Sequence, residues 1–486
     1  MSAPDRRLAA LADLPLVAGA VFIVVLLLQT FWARVGYPFD LEWMEGGMLV
    51  HAQRVMDGEP LYVEPSSEFI PFIYPPLYHW VLGWSAKLLG LSYGLGRTIA
   101  LVGTLLAAAG AAAAVGGEKR GWLLGLGAGA LYLTGYDESG SFYDVVRADG
   151  MLMALLAWSL VAARHGWVRA AGILLTLAYL SKHTAALFGL PVLWWLWRYR
   201  DRQTALRFAG WSMVPALAAT AAIQLSGDQL FLTYLVAVPG GHPFVLQRFF
   251  PQTPLDLLNF LLPLNVFALG VLGFWWIRER QWEPGAVFWA ANGGLAILLS
   301  MVMRGHHGGY VNVLMPGLWA VSVWGALAVG WARQRWPHLA TVGLTSVLVA
   351  TQLWLGRWEP QAWIPSPDAV LAGERLVEEV AKIEGEVFVP HAPWILVQAG
   401  KAPTVHLIAL WDIDHKSGPL WEHVADIQAD MDAQRWSAVL LAGSKADDDY
   451  RIKTNYRRAR SLPTGALRPV TGWRARPRYV FEPKAR

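Results

Sequence analysis

Residues 16–33 read LVAGAVFIVVLLLQTFWA, and residues 34–47 continue RVGYPFDLEWMEGG. The first stretch carries no charge and approaches the ~20 mostly apolar residues that a helix needs to cross the hydrocarbon of a bilayer. The second places three acids, Asp40, Glu42 and Glu45, directly behind it. Arg6 and Arg7 precede the apolar run as they would in a secretory leader. The run is too long for a leader, and no small-x-small cleavage site follows Phe31 and Trp32. It is therefore read as an uncleaved first span that leads into an acidic loop.

The rest of the chain repeats this theme. Apolar residues make up 55% of the 486 positions and charged residues only 16%, where a soluble protein has about a quarter of its residues charged. That composition argues against a soluble enzyme, a disordered chain and a coiled coil. There is no cysteine, so disulfides, thiolate metal sites and a cysteine nucleophile are excluded. Many of the 27 tryptophans close apolar runs, where a membrane interface selects amphipathic rings. Further runs near 93–115, 121–136, 150–164, 168–181, 183–198, 207–225, 255–277, 285–303, 310–332 and 338–356 bring the expected spans to eleven. The Ala-rich stretch Leu106–Val115 reads as close helix packing.

Basic residues orient the expected spans. With the N-terminus inside, alternate loops hold Arg6 and Arg7, Lys119 and Arg120, Arg164 and Arg169, Arg198, Arg200, Arg202 and Arg207, Arg278 and Arg280, and Arg333 and Arg335. The opposite short loops hold chiefly Arg147, Lys182, Arg248 and Arg304. The expectation is a cytoplasmic N-terminus, with the first large loop (36–92) and the C-terminal region (365–486) outside. From Arg451 onward eleven Lys and Arg face one acid, Glu482. Long domains cross largely regardless of charge, so this tail leaves the orientation standing; it reads as a solvated basic surface in preference to one drawn to anionic headgroups or glycans. In the C-terminal region, helix-like Asp368–Ile383, strand-like Glu386–Pro390 and Thr404–Leu410, helix-like Pro419–Trp436 and strand-like Ala438–Ala442 predict a small α/β domain. The expected architecture is a polytopic α-helical membrane protein with amphipathic helices in its first outer loop and this small domain at its C-terminus.

Ionisable groups near membrane depth mark sites by default. Asp40, Glu42 and Glu45 would lie on a surface helix between water and hydrocarbon, where desolvation raises a carboxylate pKa toward that of a general base. The bland alternative makes Asp40 a helix cap and the glutamates a solvated face. Tyr74-Pro-Pro-Leu-Tyr-His79 follows, with the paired prolines punctuating two elements and His79 expected at the surface. Arg147 and Asp149 open the fourth span as an anion partner and an orienting acid, or as a simple ion pair and cap. Lys182 lies between two apolar runs, either snorkelling or holding a lipid phosphate. Arg304, His306, His307 and Tyr310 belong to a glycine-rich loop ending at Asn312, and anion binding is expected there. The sequence lacks a Walker loop, a dinucleotide fingerprint and a nucleophile elbow. Nucleic-acid binding is not supported.

The order of these motifs resembles the C-type membrane glycosyltransferases, specifically bacterial relatives of the protein O-mannosyltransferases and of the lipid A aminoarabinose transferase. The resemblance rests on the acidic first loop, Gly58-x-x-x-Tyr62, Tyr-Pro-Pro-Leu-Tyr, Arg147-x-Asp149 and Leu-Ala-Tyr-Leu-Ser-Lys182, and it covers about residues 13–360. It implies a transmembrane glycosyltransferase domain over 1–360 and an extracytoplasmic domain over 365–486. The implied enzyme sits in the bacterial cytoplasmic membrane and moves a sugar, with inversion, from a polyprenyl-phosphate carrier to a glycan, lipid or protein hydroxyl. Asp40 or Glu42 is the implied base, with Glu45 orienting. Lys182, Arg147, Arg304, His306 and His307 are the implied phosphate partners, and Asp149, Tyr74 and Tyr310 sit on the acceptor or orienting side. The family's adjacent Asp-Glu pair is absent, because Met44 stands where its Asp would be. No cofactor is expected. The acids could take a divalent cation, which a cationic clamp makes dispensable. The alternatives are a lipid or polymer transporter and a noncatalytic subunit that binds polyprenyl lipid.

Overall fold

The computed structural model describes residues 8, 10–278, 282–443, 450 and 452–485. Arg6, Arg7, Arg280 and Arg451, used above in the charge reading, lie outside the described residues, as do the side chains of Lys119 and Arg120.

Helix α1 (Leu14–Arg34) is followed by α2 (Glu45–Asp57) and α3 (Leu77–Leu89), the two helices of the first loop. Pro76 sits at the N-cap of α3, where a missing N–H costs nothing. The bundle continues with α4 (Tyr93–Val115), α5 (Trp122–Leu133), α6 (Asp149–His165), α7 (Val168–Ser181), α8 (Gly189–Tyr199), α9 (Arg202–Gln224), α10 (Thr253–Phe260), α11 (Leu262–Arg278), α12 (Pro284–Gly305), α13 (Met315–Arg335) and α14 (Leu339–Leu355). Close packing begins where small residues face each other. A Cβ on Gly103 of α4 would come within 2.5 Å of the Gly150 backbone of α6, so those two helices touch main chain to main chain.

Among the described residues, five helices are long and apolar enough to cross a membrane, or seven if each of two bent pairs is one span. The eleven runs read from the sequence are therefore mostly helical, but several are shorter than a full crossing. α8 has 11 residues, α5 has 12 and α7 has 14. The run expected over 255–277 is broken at Leu261, and its halves meet at 94°. Pro263 opens the second half; proline fits a first helical turn and not an interior one.

The C-terminal region begins with α15 (Pro367–Ala381) and closes on a four-stranded mixed sheet. Strands β1 (Val387–Phe388), β2 (Ala438–Leu441), β3 (Tyr456–Ser461) and β4 (Tyr479–Pro483) run in the order β1-β2-β4-β3. One expectation is corrected here. The stretch 404–410 is not a strand, because α16 (Leu407–Ile413) starts inside it, with the His406 side chain accepting from the Ile408 N–H. The basic tail supplies β3, an edge strand whose Arg457, Arg458 and Arg460 are exposed, and such charges discourage edge-to-edge pairing.

Candidate active site

Two fully buried arginines shape the loops around the site. Arg34, the last residue of α1, pairs with Asp144 and donates to the Ser141 carbonyl (3.0 Å) and the Trp363 carbonyl (3.2 Å). Arg97, in the second turn of α4, donates to the carbonyls of Tyr37 (2.5 Å) and Phe39 (2.6 Å) and so clamps the acidic loop. Its Nη2 is 2.7 Å from Glu45 Oε2 and its Nε is 3.1 Å from Oε1. Glu45 also accepts from the backbone N–H groups of Leu41 (2.6 Å) and Val146 (2.7 Å). Both carboxylate oxygens of Glu45 are thus saturated with donors, which makes it a fastener between the first loop, α4 and the segment before α6.

Asp40 is half-buried, and its Oδ1 accepts from the Gly46 N–H (2.8 Å) and the Tyr93 hydroxyl (2.9 Å). Gly46 is the second residue of α2, so Asp40 does cap that helix, from six residues away. Burial, reinforced by nearby Glu45, pushes its pKa above the usual carboxylate range.

Glu42 differs from both. It is 1% exposed. Oε2 accepts from the Met44 N–H (3.2 Å) and from Arg147 Nη1 (3.3 Å). Oε1 faces Gly472, where an added Cβ would lie 2.6 Å away. Burial pushes the Glu42 carboxyl up to about 7, against the pull of Arg147 and with help from Glu45.

From Glu42 a polar row runs toward the bundle. Arg147 donates to the Tyr74 hydroxyl (2.8 Å), and its Nε lies 3.9 Å from Asp149 Oδ2. Asp149 Oδ1 accepts from Lys182 Nζ (2.5 Å) and Asn312 Nδ2 (2.9 Å), while its Oδ2 is buried without a hydrogen bond. Lys182 owes its position to a break between α7 and the 3-10 turn His183–Phe188, where its backbone is extended. Beneath this row, an otherwise largely apolar cavity lined by Leu152, Leu156, Phe188, Leu299 and Met303 opens between α6, α12 and α13, with Asp149, Lys182 and Asn312 in its wall. A charged rim over an apolar slot suits an amphiphile with an anionic head.

Two solved structures share this arrangement of elements. The lipid A aminoarabinose transferase ArnT from Cupriavidus metallidurans, bound to undecaprenyl phosphate, superposes with a TM-score of 0.57 at 12% identity, covering 95% of this chain and 97% of that one. The same enzyme in its apo state gives a TM-score of 0.54 at 12% identity, with the same coverage. This chain has the ArnT fold. ArnT itself is a C-type membrane glycosyltransferase, and this chain shares with it a multi-pass helical membrane fold. No family model and no curated protein matches the sequence.

Within the ArnT fold the remaining residues singled out above separate. Tyr310 is at the rim, its ring 5.5 Å from Phe142, which in turn lies 5.6 Å from the Arg147 guanidinium. Arg304 turns back on its own loop and donates to the Gly309 carbonyl (2.5 Å). His306 Nε2 is 3.1 Å from the Pro239 carbonyl, and its ring is 5.0 Å from His242. His307 is exposed. Among the described residues none of these three bonds to the Glu42–Lys182 row. His79 is not a surface residue. It is 2% exposed and stacks on His51 at 4.8 Å, and burial holds its imidazole down at about 3. Among the described residues no group of three or more His, Asp or Glu is placed to hold a metal ion.

Sequence reasoning missed Arg34 and Arg97, although an arginine inside an apolar run is itself a signal, since it must be paired. It also missed the C-terminal contribution. The Val470 and Thr471 N–H groups donate to the Leu41 carbonyl (2.9 and 3.1 Å), which seats the tail against Glu42. No local pattern near residue 470 announces that contact.

Proposed function

We propose that this protein is an inverting glycosyltransferase that moves a sugar from a polyprenyl-phosphate carrier to an acceptor hydroxyl at the outer face of the bacterial cytoplasmic membrane, with its N-terminus inside and residues 365–486 outside. The observation that carries the reading is the charged row Glu42–Arg147–Asp149–Lys182 above an apolar cavity. ArnT, which shares the fold, was solved with undecaprenyl phosphate bound.

In this reading Lys182 and Arg147 receive the carrier phosphate, Asn312 and Tyr74 hold that clamp in place, and the phosphate-proximal end of the prenyl chain enters the apolar cavity. Glu42 accepts the proton of the acceptor hydroxyl. The acceptor oxygen then forms a bond to the anomeric carbon from the face opposite the phosphate. The bond from that carbon to the phosphate oxygen breaks, and its electron pair leaves with the polyprenyl phosphate. The leaving group is already a good one, so a base and preorganised cations are what the protein must supply. Asp149 neutralises and aims Lys182 before the carrier arrives. Asp40 and Glu45 build the loop and do not touch the reacting atoms. Arg304, His306 and His307 line the approach.

Mass spectrometry of lipids retained by the purified protein tests this reading, before and after addition of a pool of polyprenyl-phosphate sugars. Wild-type protein is expected to hold a polyprenyl phosphate and to discharge its sugar. Lys182→Gln is expected to lose roughly tenfold or more in retention, as removal of a charge-assisted contact of about 1.5–3 kcal/mol would give. Absence of any polyprenyl phosphate on the wild-type protein refutes the donor assignment and favours a transporter.

A further inference from the structure

Three tryptophans from distant parts of the chain meet beside Glu42. Trp43 and Trp473 pack edge to face at 5.1 Å, Trp411 and Trp473 lie 5.2 Å apart at 35°, and Trp43 and Trp411 are 6.1 Å apart. Trp43 is buried, whereas Trp411 and Trp473 are only half-buried. Two of them neighbour, in sequence, a residue at the site. Trp43 follows Glu42, Trp473 follows Gly472, which abuts Glu42 Oε1, and Trp411 precedes half-buried Asp412.

The cluster is held firmly. Thr471 Oγ1 donates to the Gly140 carbonyl (2.5 Å), and a ring nitrogen of His406 is 2.9 Å from the Trp43 carbonyl. Gly472 has φ +68°, and a side chain there would strike Glu42 Oε1, so glycine both permits the turn and lets the tail backbone approach that oxygen closely.

We propose that the C-terminal region supplies the acceptor subsite, and that Trp411 and Trp473 stack against a saccharide ring presented to the Oε1 side of Glu42. This rests on the reading of Glu42 as the base. The phosphate clamp occupies the Oε2 side through Arg147, so the donor and the aromatic cluster fall on opposite edges of one carboxylate. A pyranose offers an apolar face of C–H groups to indole rings and hydroxyls at its rim. Polar groups flank the tryptophan cluster. His391, 1% exposed and 5.5 Å from Trp473, has neither ring nitrogen hydrogen-bonded, and the Asp412 carboxylate lies 3.9 Å from His242. A purely aliphatic occupant would leave the two His391 nitrogens unpaired. The acceptor is therefore glycan-like at the point of attack.

The test uses the full-length protein in detergent with short oligomers of glucose, mannose and N-acetylglucosamine as probes. Saturation-transfer NMR reads contact with sugar C–H protons, and mass spectrometry of retained polyprenyl phosphate is run on the same samples. Wild-type protein is expected to show C–H contacts with at least one oligomer. Trp411→Ala and Trp473→Ala should each weaken them roughly two- to tenfold, the range of an aromatic contact, with lipid retention unchanged, and Trp411→Phe should restore part of the loss. Wild-type protein that retains lipid but contacts no oligomer overturns the subsite and leaves the transferase reading intact. Contacts that persist undiminished in the Trp411→Ala/Trp473→Ala double variant overturn it as well. Oligomer contacts without lipid retention support the subsite while refuting the carrier.

Discussion

Glu42 and Glu45 stand three residues apart in one loop, each buried and each beside an arginine, yet they do opposite things. Glu45 and Arg97 are completely inaccessible, pair through two hydrogen bonds and satisfy every remaining valence on backbone groups. Glu42 meets Arg147 at a longer 3.3 Å, takes its hydrogen bonds on Oε2, and turns Oε1 toward Gly472, which brings no side chain to it. The saturated carboxylate is a strut. The other is buried without being fully compensated, and a carboxyl so placed can exchange a proton near neutrality.

The largest effect should come from breaking the strut. Arg97→Ala leaves the Glu45 carboxylate buried without its cation, at a cost of roughly 3–5 kcal/mol. Expression and thermal melting in detergent are expected to collapse, and Glu42→Gln should melt like wild type. A stable Arg97→Ala protein would erase the distinction between the two pairs.

Glu42→Gln should instead remove chemistry. Transfer is expected to fall by about 10²- to 10⁴-fold, the usual worth of a general base, while polyprenyl phosphate stays bound. As the proposed base, Glu42 works only when ionised. The rate should therefore fall as pH drops through about 7, the value to which burial raises this carboxyl, and approach tenfold per pH unit on the acid side. A rate that stays flat down to pH 5 would move the base elsewhere.

Asp40→Ala gives the smallest effect and sharpens the contrast. Its carboxylate caps α2 through the Gly46 N–H, so about 1 kcal/mol of stability should be lost, with transfer changed less than about threefold at saturating substrate. A collapse of activity with the fold intact would return Asp40 to the catalytic role that the loop sequence allowed it.

Much of the architecture was legible in the chain itself. Apolar runs, closing tryptophans and the near-absence of charge in the spans announced a helical membrane protein, because water-free hydrocarbon leaves the backbone few other options. The same rule exposed Arg147, Asp149 and Lys182, whose burial needs partners, and Tyr74 was found through the prolines beside it. Sequence periodicity could not show that the run through Leu261 turns by 94°, or that 404–410 would cap a helix, since short apolar runs suit either state.

The division of labour among the acids was decided by tertiary structure alone. Asp40, Glu42 and Glu45 share a loop and a charge, and local chemistry treats them alike. What separates them is contributed from elsewhere: Tyr93 and Arg97 from α4, Val146 and Arg147 from the segment before α6, and Gly472 from the far end of the chain. A carboxylate's pKa and reach depend on the dielectric, the donors and the free volume around it. Those are properties of residues brought together by folding, and no window of sequence contains them.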